Sequence, residues 1–235
     1  MKIFAVKRVS HGHVPSKASL MSLLTEENRN RVIRFRNWED AERVIIADLM
    51  VRYLISQIRG CNINDIVIER DSYGKPFLQN MGQLHFNVSH SGNWVVCTID
   101  SHVVGIDVEH IRPIEMEELA WRFFSKEEYQ DMVQKPLERR LEYFYDLWTL
   151  KESFVKAEGK GLLIPLNHFT FKIQDNQVSV KHSNDEYNHR YFFKRYFIED
   201  DYRMSVCGCT PDFPSEVQYL DRSFLFQETQ KLLIQ

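Results

Sequence analysis

Cysteine is scarce: four residues in 235, Cys61, Cys97, Cys207 and Cys209, with no CxxC pair and no secretory context around them. That excludes a small disulfide scaffold and leaves buried or half-buried free thiols. Long apolar runs are absent too, and the one in MKIFAVKRVSHG is too short for a signal-peptide core. A soluble, cytoplasmic protein is therefore expected, with no membrane partner. Charge of one sign is also lacking, because 30 Lys and Arg stand against 33 Asp and Glu for a net charge of −3. Such a chain has no general pull on polyphosphate backbones, so no nucleic-acid partner is expected and any anionic ligand must meet a local patch. No GxSxG elbow is present, and in the cytoplasm the triplet Asn87-Val88-Ser89 is not a glycosylation site.

What remains is ordinary globular composition, 43% hydrophobic, 13% aromatic and 27% charged. A chain of this length buries roughly 70–75% of its unfolded surface, enough for one large domain or two small ones.

Residues 2–9 alternate as a first strand, and Leu20, Leu23, Leu24 and Val32 give helical spacing between Ser16 and Phe35. The segment Trp38–Arg59 reads as a long helix, with Val44, Ile45, Leu49, Tyr53 and Ile58 at helical intervals and Gly60 at the left-handed cap. Short strands follow over 66–70, 84–89, 94–100 and 103–109, separated by turns at 71–76 and 90–93. Helical pattern returns over 115–124, and Ser125-Lys126-Glu127-Glu128 reads as a capping box. Pro136 suits the start of another long helix ending near Gly159. From Phe169 onward the pattern reads as strands alone, over 169–173, 177–181, 190–197 and 203–209. This order predicts an α+β fold of two similar halves, 1–104 and 105–235, without a visible sequence repeat.

Three segments carry chemistry. In Val103-Val104-Gly105-Ile106-Asp107-Val108-Glu109, strand alternation puts Gly105, Asp107 and Glu109 on one face. Two carboxylates so placed suit a hard cation such as Mg²⁺, with Gly105 leaving the approach open; they also suit a solvated strand face. In the second long helix, Trp148, Glu152 and Lys156 are four apart in turn and share a face. They read either as an aromatic plate, an acid and an ammonium for a phosphorylated ligand, or as a routine ion pair beside a core tryptophan. Glu152 together with the strand acids would make a three-carboxylate cluster, which needs a metal or a raised pKa. The third segment is Phe86-Asn87-Val88-Ser89-His90-Ser91, where Ser89, His90 and the backbone near Gly92 form a candidate phosphate site or a plain hairpin turn. Positive charge gathers at Arg29, Arg31, Arg34, Arg36, Arg43 and Lys75, as an anion site or a solvated face. Glu128 is either a catalytic base or only the partner of Ser125 in its capping box.

Together, Tyr73-Gly74-Lys75-Pro76, Phe86 to Ser91, Gly105 to Glu109, Arg122-Phe123-Phe124-Ser125 and Leu147 to Lys156 resemble the signature of the 4′-phosphopantetheinyl transferases. Length and spacing resemble the larger, surfactin-synthetase-activating type. The resemblance implies a pseudo-dimer of two α+β halves, monomeric, with coenzyme A at their junction. It implies transfer of phosphopantetheine from coenzyme A to a serine of an acyl- or peptidyl-carrier protein, releasing adenosine 3′,5′-bisphosphate. Asp107, Glu109 and Glu152 would hold Mg²⁺, Lys156 would steady the leaving phosphate, and Glu128 would act as base, directly or through water. Arg43, Lys75, Ser89 and His90 would hold the adenosine and 3′-phosphate end on the first half. Arg31 would join them; Asn28 stands where such proteins often have a lysine, with Arg36 a substitute cation. The segment 115–124 would receive the carrier through Leu119 and Phe123. Three carboxylates beside a phosphate patch equally suit a metal-dependent phosphodiesterase or nucleotidyltransferase, and a non-catalytic coenzyme A or carrier-binding module is a third class.

Overall fold

A computed structural model of the chain describes residues 1–8, 16–175, 177–182 and 190–234; Val9, at the end of the first expected strand, lies outside them. The chain starts with β1 (Lys2–Lys7), α1 (Lys17–Ser22), α2 (Glu26–Val32) and α3 (Trp38–Arg59), then β2 (Ile68–Arg70), β3 (Pro76–Leu78), β4 (His85–Ser91), β5 (Trp94–Asp100) and β6 (Val104–His110). There follow α4 (Met116–Phe123), α5 (Lys126–Gln134), α6 (Leu137–Glu158), β7 (Phe169–Gln174), β8 (Gln177–His182), β9 (Phe192–Tyr196), β10 (Tyr202–Gly208), β11 (Gln218–Leu220) and α7 (Arg222–Ile234). The fold is α+β, as expected.

Both long helices end at a left-handed glycine, Gly60 at φ 62°, as expected, and Gly159 at φ 78°. The expected single helical stretch over 16–35 is two helices, because Thr25 accepts from Asn28 N and caps a new start. The capping box forms: Ser125 accepts from Glu128 N and Glu128 accepts from Ser125 N. Past Phe169 the strands-only expectation is corrected by α7, whose Leu225 and Phe226 pack into the core under α3, and by β11.

Two sheets make the body. One runs β11-β1-β5-β4 and the other β6-β10-β9, with β2-β3 and β7-β8 as separate hairpins. Strand alternation sorts the side chains between cores. Phe4, Val6, Val95, Cys97 and Ile99 pack under α3, while Ile3, Ala5 and Val96 meet Ile106, Val108, Met204 and Val206 of the other sheet. A third cluster forms around α6 from Phe144, Leu147, Leu150 and Phe154 with Phe169 and Phe171. The chain's last described stretch returns to the first sheet, where β11 runs parallel to β1.

Where the sheets meet, β4 and β6 lie side by side, and side chains take the place of a backbone ladder. Asn87 Oδ1 accepts from Ile106 N at 2.9 Å, Ser89 Oγ from Val108 N at 3.4 Å and Ser91 Oγ from His110 N at 3.1 Å. Every second residue of β4 thus satisfies every second amide of β6, which fixes both register and face. The other face of β6 lies against α6. A Cβ on Gly105 would stand 2.0 Å from Ser153 O and 2.5 Å from Ala157 N, so the glycine is there for the close approach of a helix, not for an open path to a ligand as the sequence suggested. The four cysteines are free, Cys97 and Cys207 buried. No helix among the described residues is long and apolar enough to cross a membrane.

Candidate active site

The β4–β6 seam and α6 bring together the residues that strand and helix spacing had placed on common faces. Asp107, 2% exposed, accepts at Oδ1 from Lys156 Nζ at 2.6 Å and from Ser89 Oγ at 2.9 Å. Lys156 Nζ also donates to Ser89 Oγ at 2.8 Å. Glu109, two residues on along the same face, accepts from Ser91 Oγ at 2.8 Å. One helical turn before Lys156, Glu152 joins these groups, and one turn earlier Trp148 closes the wall, stacked on Phe144. They line a cavity of about 320 Å³ with Val88, Ser89 and His90.

Crowding of carboxylates decides the electrostatics. Burial raises the pKa of Asp107 against the pull of Lys156. Burial and then Asp107 push Glu109 up to about 7, and the same two causes, in the same order, raise Glu152. His90 stands at the rim, where desolvation and then the charges of Arg43 and Lys156 lower its pKa.

Asp107 Oδ2 is buried with no hydrogen-bond partner. An orphaned carboxylate oxygen on one of three acids that line a single cavity is the donor set a hard divalent cation takes, so these residues fit Mg²⁺. No three His, Cys, Asp or Glu among the described residues close around one ion position; the acids share the lining of one cavity.

A second cavity, of about 700 Å³, opens beside the first and shares Val88 and His90 with it. Apolar side chains of α3, among them Val44, Ala47 and Val51, line it with Ile66 and Ile68, and Arg31, Arg52 and Arg70 bring cations to it. Asn28 also lines it and donates to Asp48 Oδ1 at 2.8 Å, which Arg52 holds at 3.1 Å.

Three expected site residues do not line either cavity. Glu128, expected as the base, is buried: it pairs with Lys151 Nζ at 2.7 Å with neither side chain exposed, and it accepts from Phe171 N at 2.8 Å. Lys151 also donates to Leu166 O and Phe169 O, and burial lowers its pKa to about 8. Lys75 donates to Ala157 O at 2.6 Å, so it ties the 71–76 turn to the end of α6 and does not line either cavity. Arg43 pairs with Asp40 and donates to Gly92 O at 2.7 Å; it sits behind the turn next to His90. Sequence reading missed Asn87, Ser91 and Arg70. Asn87 and Ser91 alternate with Ser89, the one signal that could have marked the seam.

With the geometry in hand, comparison decides the family. A family model described as 4′-phosphopantetheinyl transferase, N-terminal, matches residues 14–102, and one described as 4′-phosphopantetheinyl transferase superfamily matches 103–207. The 4′-phosphopantetheinyl transferase Sfp of Bacillus subtilis (strain 168) is 40% identical over 218 residues, 92% of this chain and 96% of its own. The chain belongs to the 4′-phosphopantetheinyl transferases. Another such transferase, gsp of Aneurinibacillus migulanus, is 36% identical over 165 residues, 70% of this chain and 68% of its own. Among solved structures, the holo-[acyl-carrier-protein] synthase (AcpS) of Thermotoga maritima aligns with 45% of this chain and 61% of its own, at 22% identity and a TM-score of 0.37. The resemblance read from the motifs is thus the family itself, of the Sfp type.

Proposed function

We propose that the β4–β6 seam is the reaction centre at which this transferase moves phosphopantetheine from coenzyme A to a serine of an acyl- or peptidyl-carrier protein. The observation that supports it is the meeting of three carboxylates, one with an orphaned buried oxygen, and one lysine in a cavity that shares Val88 and His90 with a larger apolar and cationic one. The small cavity takes the pyrophosphate; the larger takes the adenosine end.

Asp107, Glu109 and Glu152 are the residues that would hold Mg²⁺, which when bound neutralises the pyrophosphate and the charge that develops on the phosphoryl group under attack. Lys156 carries a positive charge to the leaving phosphate from the same side. Ser89 orients Lys156 and Asp107 by bonding to both. With Glu128 locked in the core, the proton of the carrier serine passes to an acid of the cavity. Glu152 is the one whose carboxylate has no hydrogen bond or ion pair among the described residues, so with one oxygen given to the cation its other oxygen is the acceptor. Arg31 and His90 meet the 3′-phosphate, with Arg43 adding charge from behind.

The carrier docks at α4, where Trp121 is 72% exposed and Leu119 and Phe123 are half-buried. The boundary near residue 104 divides an adenosine side from a metal side, with β11 and α7 returning to the first. The protein acts as a cytoplasmic monomer, since one chain supplies both cavities of the site, and neither nucleic acid nor membrane is its partner. Release of adenosine 3′,5′-bisphosphate from coenzyme A on adding an apo carrier domain tests the reading. Release is expected to need the carrier's serine; no release with several unrelated carriers, while coenzyme A still binds, would contradict it.

A further inference from the structure

The larger cavity is lined by two arginines whose guanidinium groups form no ion pair among the described residues. The guanidinium of Arg31, on α2, has neither a hydrogen bond nor an ion pair among the described residues. Arg70, at the end of β2, donates one bond to Gly74 O at 2.8 Å and has no carboxylate partner either. Both line the same cavity. Its other cation, Arg52, is spoken for, because it holds Asp48 and donates to Ile66 O at 2.7 Å. The carboxylates facing the cavity are that same Asp48 and the exposed Glu27. Like charges on separate elements that face one cavity repel in the empty protein, and Arg70 does lower the pKa of Arg31, second only to burial. A dianion between them would remove that repulsion and take charge-assisted bonds from two planar donors.

This inference rests on the function proposed above. Coenzyme A carries a pyrophosphate and one separate phosphate monoester, at the 3′ position of its ribose. If the pyrophosphate occupies the carboxylate cavity, the monoester is the only dianion left for the neighbouring one. We infer that Arg70 is a specificity-determining residue which, opposite Arg31, clamps the 3′-phosphate of coenzyme A and so selects it over the 3′-dephospho form. Arg70 thereby supplies the cation that the chain lacks at Asn28, whose amide is turned to Asp48 instead. Because Arg70 also reaches Gly74, its side chain sets the approach of the 71–76 turn to the ligand, and a purely structural role there would affect both forms of the coenzyme alike.

The test compares coenzyme A with 3′-dephospho-coenzyme A, using the wild type, Arg70→Gln and Arg70→Lys with one apo carrier domain. Charge-assisted bonds of this kind are worth about a factor of ten or more, so Arg70→Gln is expected to reduce the kcat/KM preference for coenzyme A by about that factor. Arg70→Lys is expected to restore part of it, and calorimetry should show the same loss for adenosine 3′,5′-bisphosphate but not for AMP. An unchanged preference in Arg70→Gln, or an equal loss with both coenzymes, would overturn the inference. A wild type that binds neither coenzyme would instead contradict the proposed function, and the two failures are distinct.

Discussion

Lys156 Nζ lies 2.6 Å from Asp107 Oδ1, while the other oxygen of the same carboxylate is buried without a partner. One oxygen is thus neutralised by the protein and the other is held ready for something the protein does not supply. Asp107→Asn keeps the shape and removes the charge. It is expected to lower kcat by roughly a hundredfold or more, as losing one preorganised electrostatic group does. Mg²⁺ is expected to raise the Tm of the wild type and not that of the variant. A variant with wild-type turnover and an intact Mg²⁺ response would remove Asp107 from the site.

Glu128 and Lys151 form an ion pair at 2.7 Å with neither side chain exposed. Removing one partner of a buried ion pair costs about 3–5 kcal/mol, because the other charge stays buried. For a chain of this size that is a fall in Tm on the order of 10 °C. Glu128→Gln is expected to show that fall by calorimetry and to keep a kcat within about threefold of wild type, measured well below the lowered Tm. Unchanged stability with kcat lost would restore Glu128 as the base.

Acid and base titrations give a third check. Glu109 has its pKa raised from an ordinary 4.5 to about 7 in the metal-free protein. Between those values the native state binds more protons than the unfolded one, so the contribution of this group is complete below the lower value and fades as pH rises through the upper. With EDTA present, wild-type Tm should therefore fall relative to Glu109→Gln as pH goes from about 4.5 to 7. Parallel curves for the two proteins would show that Glu109 is not crowded by its neighbours.

Gly105 is where helix and strand touch. Overpacking costs about 1–3 kcal/mol where a side chain can give way, and here the opposing atoms are backbone. Gly105→Ala is expected to lower Tm and, by pushing α6 from β6, to part Glu152 and Lys156 from Asp107 and reduce kcat. A stable, active variant in a thermal melt and a turnover assay would contradict the close packing.

Much of this site was legible because its spacing is local. Asp107 and Glu109 are two apart on a strand, and Trp148, Glu152 and Lys156 are four apart on a helix, so each set shares a face by geometry alone. The long helices α3 and α6 were legible for the same reason, and the glycines at their ends confirmed the stops. What escaped depends on partners far along the chain. Lys151 sits on α6, and only packing of α5 brings Glu128 to it. The seam of Asn87, Ser89 and Ser91 exists only once β4 lies beside β6. Strand β11 has three residues and forms by pairing with β1, and α7 is held by α3, so neither announces itself locally. Arg43 and Lys75 carry the right charge at the right motifs, yet the backbone carbonyls of Gly92 and Ala157 take their donors.

The central claim is that the β4–β6 seam transfers phosphopantetheine with help from a divalent cation. Intact-protein mass spectrometry of an apo peptidyl-carrier domain, incubated with this protein, coenzyme A and Mg²⁺, measures it directly, with EDTA and Asp107→Asn alongside. The account predicts a gain of one phosphopantetheine with the wild type, lost with EDTA and with the variant. A gain of the same size in all three would contradict it.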